Sequence, residues 1–196
     1  MSQEAIEIVR KMDMEKIENQ LVFQCAPLIA GLKMSNLFII CKRNLRRLCE
    51  LLQRSDIQCR VLYVEEDKLT VLLYHPAMLT IYLRGKRARM LLIREGYEQY
   101  DLESVLLLFT YRYRQYRGGT QSFPHELGVL LGYPLEDVEG FIQNGGKNCL
   151  YTGYWKVYAN VPAKRQLFRR YEYAREELMK QISQGTKIEQ LLAGRC

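Results

Sequence analysis

The sequence predicts an α+β fold, a small mixed β-sheet flanked by helices with a predominantly helical C-terminal half. Three observations carry that expectation. Compact runs rich in β-branched and aromatic residues stand at 36–41 and on both sides of an acidic turn in CRVLYVEEDKLTVLLYHP, the pattern of buried strands and a hairpin. Leucines at helical spacing separate the first run from the hairpin. From about residue 86 onward the apolar periodicity is mostly helical.

The expected organisation is one domain over residues 1–196, with a sheet-containing half at 1–85 and a helical half at 86–196. A chain of 196 residues fits one domain and buries roughly 70% of the surface of its unfolded form, so no metal or disulfide is needed to hold it. A hydrophobic fraction of 48% with 26% charged residues is ordinary for a folded protein and excludes a disordered chain.

Taken in order, residues 3–24 read as a helix with Ser2 as its cap and Met14, Ile17 and Leu21 on one face. Cys25-Ala26-Pro27 is expected to break it, because proline cannot continue a helix and restricts the residue before it. Pro27 then opens a short turn ending at Gly31. After the NLFIIC strand, NLRRLCELLQR places Leu45, Leu48, Leu51 and Leu52 on one helical face. The hairpin turns at Glu66-Asp67. Strand, helix, strand implies a parallel crossover, and the hairpin adds an antiparallel neighbour, hence the mixed sheet. DLESVLLLFTYRYRQYR begins with Asp101 as a cap and ends before Gly118-Gly119. The last long helix, about 162–184, has Pro162 in its first turn, Gly185 past its end, and a stripe of Leu167, Tyr171, Ala174, Leu178 and Ile182.

No stretch reaches the ~18 apolar residues of a membrane span, and the charged start MSQEAIEIVRKMDMEK lacks the apolar region of a signal peptide. A cytoplasmic location is therefore expected. The six cysteines, Cys25, Cys41, Cys49, Cys59, Cys149 and Cys196, form no C-x-x-C pair, and read as small buried hydrophobes of a reducing compartment. With only two histidines, His75 and His125, neither a metal site nor a cofactor is expected. His75 reads as a strand-end residue bonded to backbone. The net charge of +7 is concentrated at 42–47, 84–94, 112–117 and 164–175, which draws anions without naming them; solvated helix faces are the simpler reading.

Residues 121–158 carry the densest positional signals. Ser122 can cap a helix that Pro124 begins, with His125 and Glu126 in its first turn. Gly128 and Gly132, four apart, let another backbone approach. Pro134 starts a second helix that runs to Asn144 and stops at Gly145-Gly146. The pattern matches a helix-turn-helix, but Glu136, Asp137 and Glu139 on its second helix would face phosphate with the wrong sign, so it reads as packing geometry.

FPHELGVLLGYPLEDVEGFIQNGGKN, the following GYWKVY, and CAPLIAGLK nearer the start resemble a bacterial family known only as a domain of unknown function, and the resemblance covers nearly the whole chain. Members of that family often carry His-Cys-Ala-Pro where this chain has Gln24-Cys25-Ala26-Pro27. They often carry further cysteines where it has Leu150-Tyr151-Thr152. Both departures count against a mechanism that needs a histidine beside Cys25 or a cysteine cluster near Cys149. The resemblance implies kinship and leaves function open.

Three functions are weighed. The first is a cytosolic small-ligand-binding or regulatory protein with its site near FPHELG and GYWKVY. There Lys33, Lys147, Asn148, Tyr154, Trp155 and Lys156 would hold an anionic small molecule between basic tips and aromatic walls. The alternative is a cysteine-dependent hydrolase or acyltransferase. Cys25 at a helix start would supply a thiolate, His125 the base, and Glu126, Asn144 or Asn148 its orientation. The third is RNA binding, in which Tyr111, Tyr113 and Tyr116 interleaved with Arg112, Arg114 and Arg117 would stack single-stranded bases.

Overall fold

Side-chain alternation along three strands organises the molecule. In the computed structural model, which describes residues 2–193, these are β1 (Ser35–Cys41), β2 (Gln58–Glu65) and β3 (Lys68–Tyr74). They lie in the order β1-β3-β2 and both pairings are antiparallel. KLTVLLY is buried at every position after the first, so β3 is covered on both faces and takes the centre. β1 and β2 do run in the same direction, as a strand–helix–strand unit would have them. They never touch, because β3 lies between them. The sheet is thus antiparallel throughout and not mixed: the crossover skips one position and the hairpin strand fills it.

One face carries Phe38, Ile40, Leu69, Val71 and Leu73; the other carries Leu62, Leu72 and Tyr74. The first face is covered by α1 (Gln3–Lys11), α2 (Ile17–Ile29), α3 (Leu45–Leu52), α9 (Val161–Ser183) and α10 (Ile188–Ala193). The second is covered by α4 (Pro76–Arg84), α5 (Lys86–Arg94), α6 (Leu102–Arg117), α7 (Glu126–Leu130) and α8 (Leu135–Gln143). A short ribbon of β4 (Tyr151–Thr152) and β5 (Lys156–Val157) completes the order. The C-terminal half is helical as expected, and α9 packs back on α1 and α2 of the N-terminal half.

Two helix boundaries differ from expectation. The first helix ends at Lys11, where Asp13 accepts the Glu15 N–H (3.0 Å) and forms a turn before α2. Pro27, expected to break the chain, lies inside α2. It forfeits the bond residue 27 would make to the preceding turn. Its own carbonyl then accepts the Leu32 N–H (2.8 Å) while Leu28 accepts that of Gly31 (2.8 Å), which closes the helix two residues later. Leu28 and Ile29, both buried, supply the reason to continue. Cys25 consequently sits deep in a helix and not at the start of one. His75 caps the entry to α4, with its ring nitrogen 3.1 Å from the Leu28 carbonyl and its N–H on Met34 (2.8 Å).

The described cysteines, Cys25, Cys41, Cys49, Cys59 and Cys149, are free thiols; Cys196 lies outside the described residues. Among the described residues no helix is long and apolar enough to cross a membrane.

Candidate functional site

The helix-turn-helix signals of 121–146 build a wall. Ser122 does not cap α7; the turn starts later, with His125 in the cap position. A Cβ on Gly128 would stand 2.9 Å from a Val138 methyl, so its absence lets α7 and α8 touch. Gly132 does not share that face. At φ +69° it ends α7, with the Tyr133 N–H on the Gly128 carbonyl (2.9 Å), and swings Tyr133 round toward the β4–β5 ribbon. Between this turn and the ribbon lies a cavity of about 300 Å³. Phe123, His125, Tyr133, Phe141, Tyr154 and Trp155 supply rings to its wall, while Leu37, Leu131 and Val138 supply aliphatic surface.

Trp155 stacks on Tyr133 (centroids 4.7 Å apart, 25° between planes) and meets Phe168 edge-on (4.5 Å, 82°). Its indole N–H donates to Asp137 Oδ2 at 2.8 Å. The other oxygen of Asp137 accepts the backbone N–H groups of Tyr158 (2.8 Å) and Ala159 (3.1 Å). Lys164, bonded to Glu136 at 2.6 Å, stands 3.9 Å from the same carboxylate. The one carboxylate in the wall is therefore saturated with donors from the fold.

Phe123, His125 and Phe141 form a second group of rings, with centroids 5.6, 5.8 and 6.1 Å apart. His125 Nδ1 is buried and has no hydrogen-bond partner among the described residues. Lys156, exposed on β5, donates to the Gly146 carbonyl at 2.6 Å and holds its ammonium 5.9 Å from the Phe141 centroid. The Tyr154 hydroxyl accepts from Arg175 at 2.8 Å. Burial raises the Tyr154 phenol above the usual range against the opposing pull of Arg175, and raises Tyr133 likewise, so both walls stay neutral.

The residues expected at a site divide accordingly. His125, Tyr154, Trp155 and Lys156 line one cavity. Lys147 and Asn148 are exposed on the adjoining loop and, among the described residues, do not line it. Lys33 lies behind the wall, 8% exposed, with its ammonium on Asn36 Oδ1 (2.8 Å) and 5.7 Å from the Tyr133 centroid. Burial lowers its pKa to about 8. Cys25 is fully buried on the other side of the sheet, and its sulfur accepts from Asn36 Nδ2 at 3.4 Å. Burial pushes this thiol up to about 12, Asn36 and Lys33 opposing. Its hydrogen-bond and charge partners are thus Asn36 and Lys33, not His125, and a thiol this far up is not a resting nucleophile. Glu126 does not orient His125 either; it is buried against Arg112 (3.2 Å) and the Tyr97 hydroxyl (3.1 Å).

The arginines of 112–117 and the carboxylates of α8 are engaged within the fold. Arg112 reaches Glu126, Arg114 donates to the Leu62 carbonyl (3.1 Å), and Arg117 pairs with Glu65. On α8, Glu136 faces Lys164, and Glu139 faces Arg87 (3.4 Å) and Arg94 (3.6 Å). No group of three or more metal-ligating side chains comes together among the described residues.

A family model described as "Protein of unknown function (DUF3793)" matches residues 21–192, nearly the whole chain. The chain belongs to the DUF3793 family. No curated protein and no solved structure matches it. The span matched to DUF3793 contains every residue of the cavity wall. Sequence reasoning missed Phe123, Phe141 and Leu37 as lining. Phe141 carries a readable signal, three residues past Val138 on the same helical face; Leu37 carries none, because its direction depends on strand register.

Proposed function

We propose that this DUF3793 chain is a small-ligand-binding protein of the bacterial cytosol, and that its ligand occupies the cavity between α7–α8 and the β4–β5 ribbon. The observation that carries the reading is a preformed, ring-lined cavity at the place where FPHELG and GYWKVY meet, with the buried Nδ1 of His125 in its wall unpartnered among the described residues. Binding sites are typically concave and mostly apolar, with few polar groups that fix orientation, and 300 Å³ lies at the small end of their range.

No comparable observation supports the cysteine-dependent alternative, since Cys25 and His125 have separate partners. RNA binding through 111–117 would need arginines that the fold already holds.

Trp155 is the only tryptophan in the chain, so its emission reports the cavity alone. A set of small planar compounds should yield members that shift or quench that emission in the wild type. The same members should lose their effect in Leu37→Phe, which adds a ring from half-buried β1 to the cavity wall, with a thermal transition recorded alongside to show that the variant folds. If no compound moves the emission at millimolar concentration, the cavity is a packing defect and the reading fails.

A further inference from the structure

We infer that the ligand of this cavity is a planar aromatic anion, such as an aromatic carboxylate, with its ring among the stacked side chains and its charge at the Lys156 rim. The inference rests on the cavity being a binding site and adds the chemistry of the occupant.

A ring-lined cavity has three candidate occupants: a cation held by π-faces, a neutral ring, or a ring bearing an anion. A cation would need the faces and a negative group to complete its cage. Here the one carboxylate in the wall, Asp137, has both oxygens taken by Trp155, Tyr158 and Ala159, with Lys164 alongside. A face of Phe141 already looks toward the Lys156 ammonium. The positive groups are spent less completely. Lys156 is bonded to one backbone carbonyl, and no carboxylate lies within ion-pair distance of it among the described residues. Arg175, behind Tyr154, gives one nitrogen to the Tyr154 hydroxyl, and its Nε is buried without a partner among the described residues. Lys156 is thus the lining residue whose charge has no counter-charge beside it among the described residues, and an anion can supply one.

Position favours the same answer. Lys156 is exposed, so an anion at its ammonium keeps water on its outer side and escapes the full penalty of a buried charge. The ring it carries reaches inward past Phe123, His125 and Phe141. Rings that meet edge-on present their positive edges to neighbours, which suits an electron-rich aromatic acid.

The test uses three probes with one ring system and different charge: 2-naphthoate, 2-naphthol and 2-naphthylmethylammonium. Binding is read at neutral pH by calorimetry and by the Trp155 indole N–H signal in NMR. Naphthoate should bind about tenfold or more tighter than either other probe, the factor expected of one charge-assisted contact. Lys156→Met should abolish the preference for naphthoate over naphthol, read as the ratio of the two affinities in the same protein. In the wild type, added salt should weaken naphthoate alone, a control that needs no variant. Equal binding of the three, or preference for the ammonium, with the Trp155 signal still responding, overturns the anion and leaves the cavity standing. If none of the three moves the Trp155 signal, both fall together.

Discussion

Asp137 sits in the first turn of α8, only 2% exposed, and its carboxylate gathers an indole N–H, two backbone N–H groups and the nearby Lys164. Removing it would strand three donors at once, while Lys164 keeps Glu136. Asp137→Ala is therefore expected to cost about 3–5 kcal/mol, measurable by urea denaturation, with the Trp155 emission changing before any ligand is added. A loss under about 1 kcal/mol would show that the knot does not hold the ribbon. Lys33 is the reverse case, a buried ammonium that meets an amide oxygen and a ring face. Its pKa falls to about 8 in the folded protein, so the unfolded chain binds the extra proton between there and about 10.5. The penalty is present in full below pH 8 and is relieved as pH rises through that window. Lys33→Met should thus be the more stable protein at pH 6, by up to on the order of 3 kcal/mol, with the gain shrinking toward pH 10. Denaturation of both proteins across that range checks the sign. At this scale Trp155 and Lys156 were legible in the sequence as lining. Asp137 was not, since an acidic residue on a helix reads as exposed charge until its direction is known.

Gly128 and Val138 show how the two short helices of the cavity wall depend on one contact. Gly128→Ala puts a methyl where 2.9 Å of space remains to Val138, at an expected cost of about 1–3 kcal/mol in thermal unfolding. Val138→Ala in the same chain should return part of that loss, because the two side chains compete for one space; simple additivity would contradict the contact. Much of the element order can be read from the chain. The hairpin, the Asp101-capped helix and α9 follow from alternation, capping and helical spacing. Two features could not be read. Pro27 looks like a stop, yet the burial of Leu28 and Ile29 and the bonds that close α2 past it outweigh one missing N–H. The position of β3 between β1 and β2 depends on which strand is covered on both faces, which only packing decides.

For the whole molecule, the sheet separates two cores that serve different ends. The face holding Cys25 is closed by α1, α2, α9 and α10, with Arg47 tying α3 to Glu18 (2.7 Å) and Glu189 (2.8 Å). Cys25 should accordingly resist iodoacetamide at pH 8 until the protein unfolds, while exposed Cys49 reacts at once; peptide mass spectrometry separates the two. Fast labelling of native Cys25 would contradict the burial and revive the thiol chemistry. The opposite face opens at its margin into the ring-lined cavity. Convergence of the two motif segments there could be read in outline, because both are dense in glycine and aromatic residues. The saturation of Asp137 and the isolation of Cys25 from His125 could not, since spacing along a chain says nothing about which side of a sheet a residue occupies.

The most direct measurement of the central claim is a titration of 2-naphthoate followed at the Trp155 indole N–H, in wild type and in a Leu37→Phe variant whose thermal transition shows it folded. A saturable shift in the wild type that vanishes in the filled variant is the expected result. A shift of equal size and midpoint in both proteins, or none in either, would contradict a ligand site at this cavity.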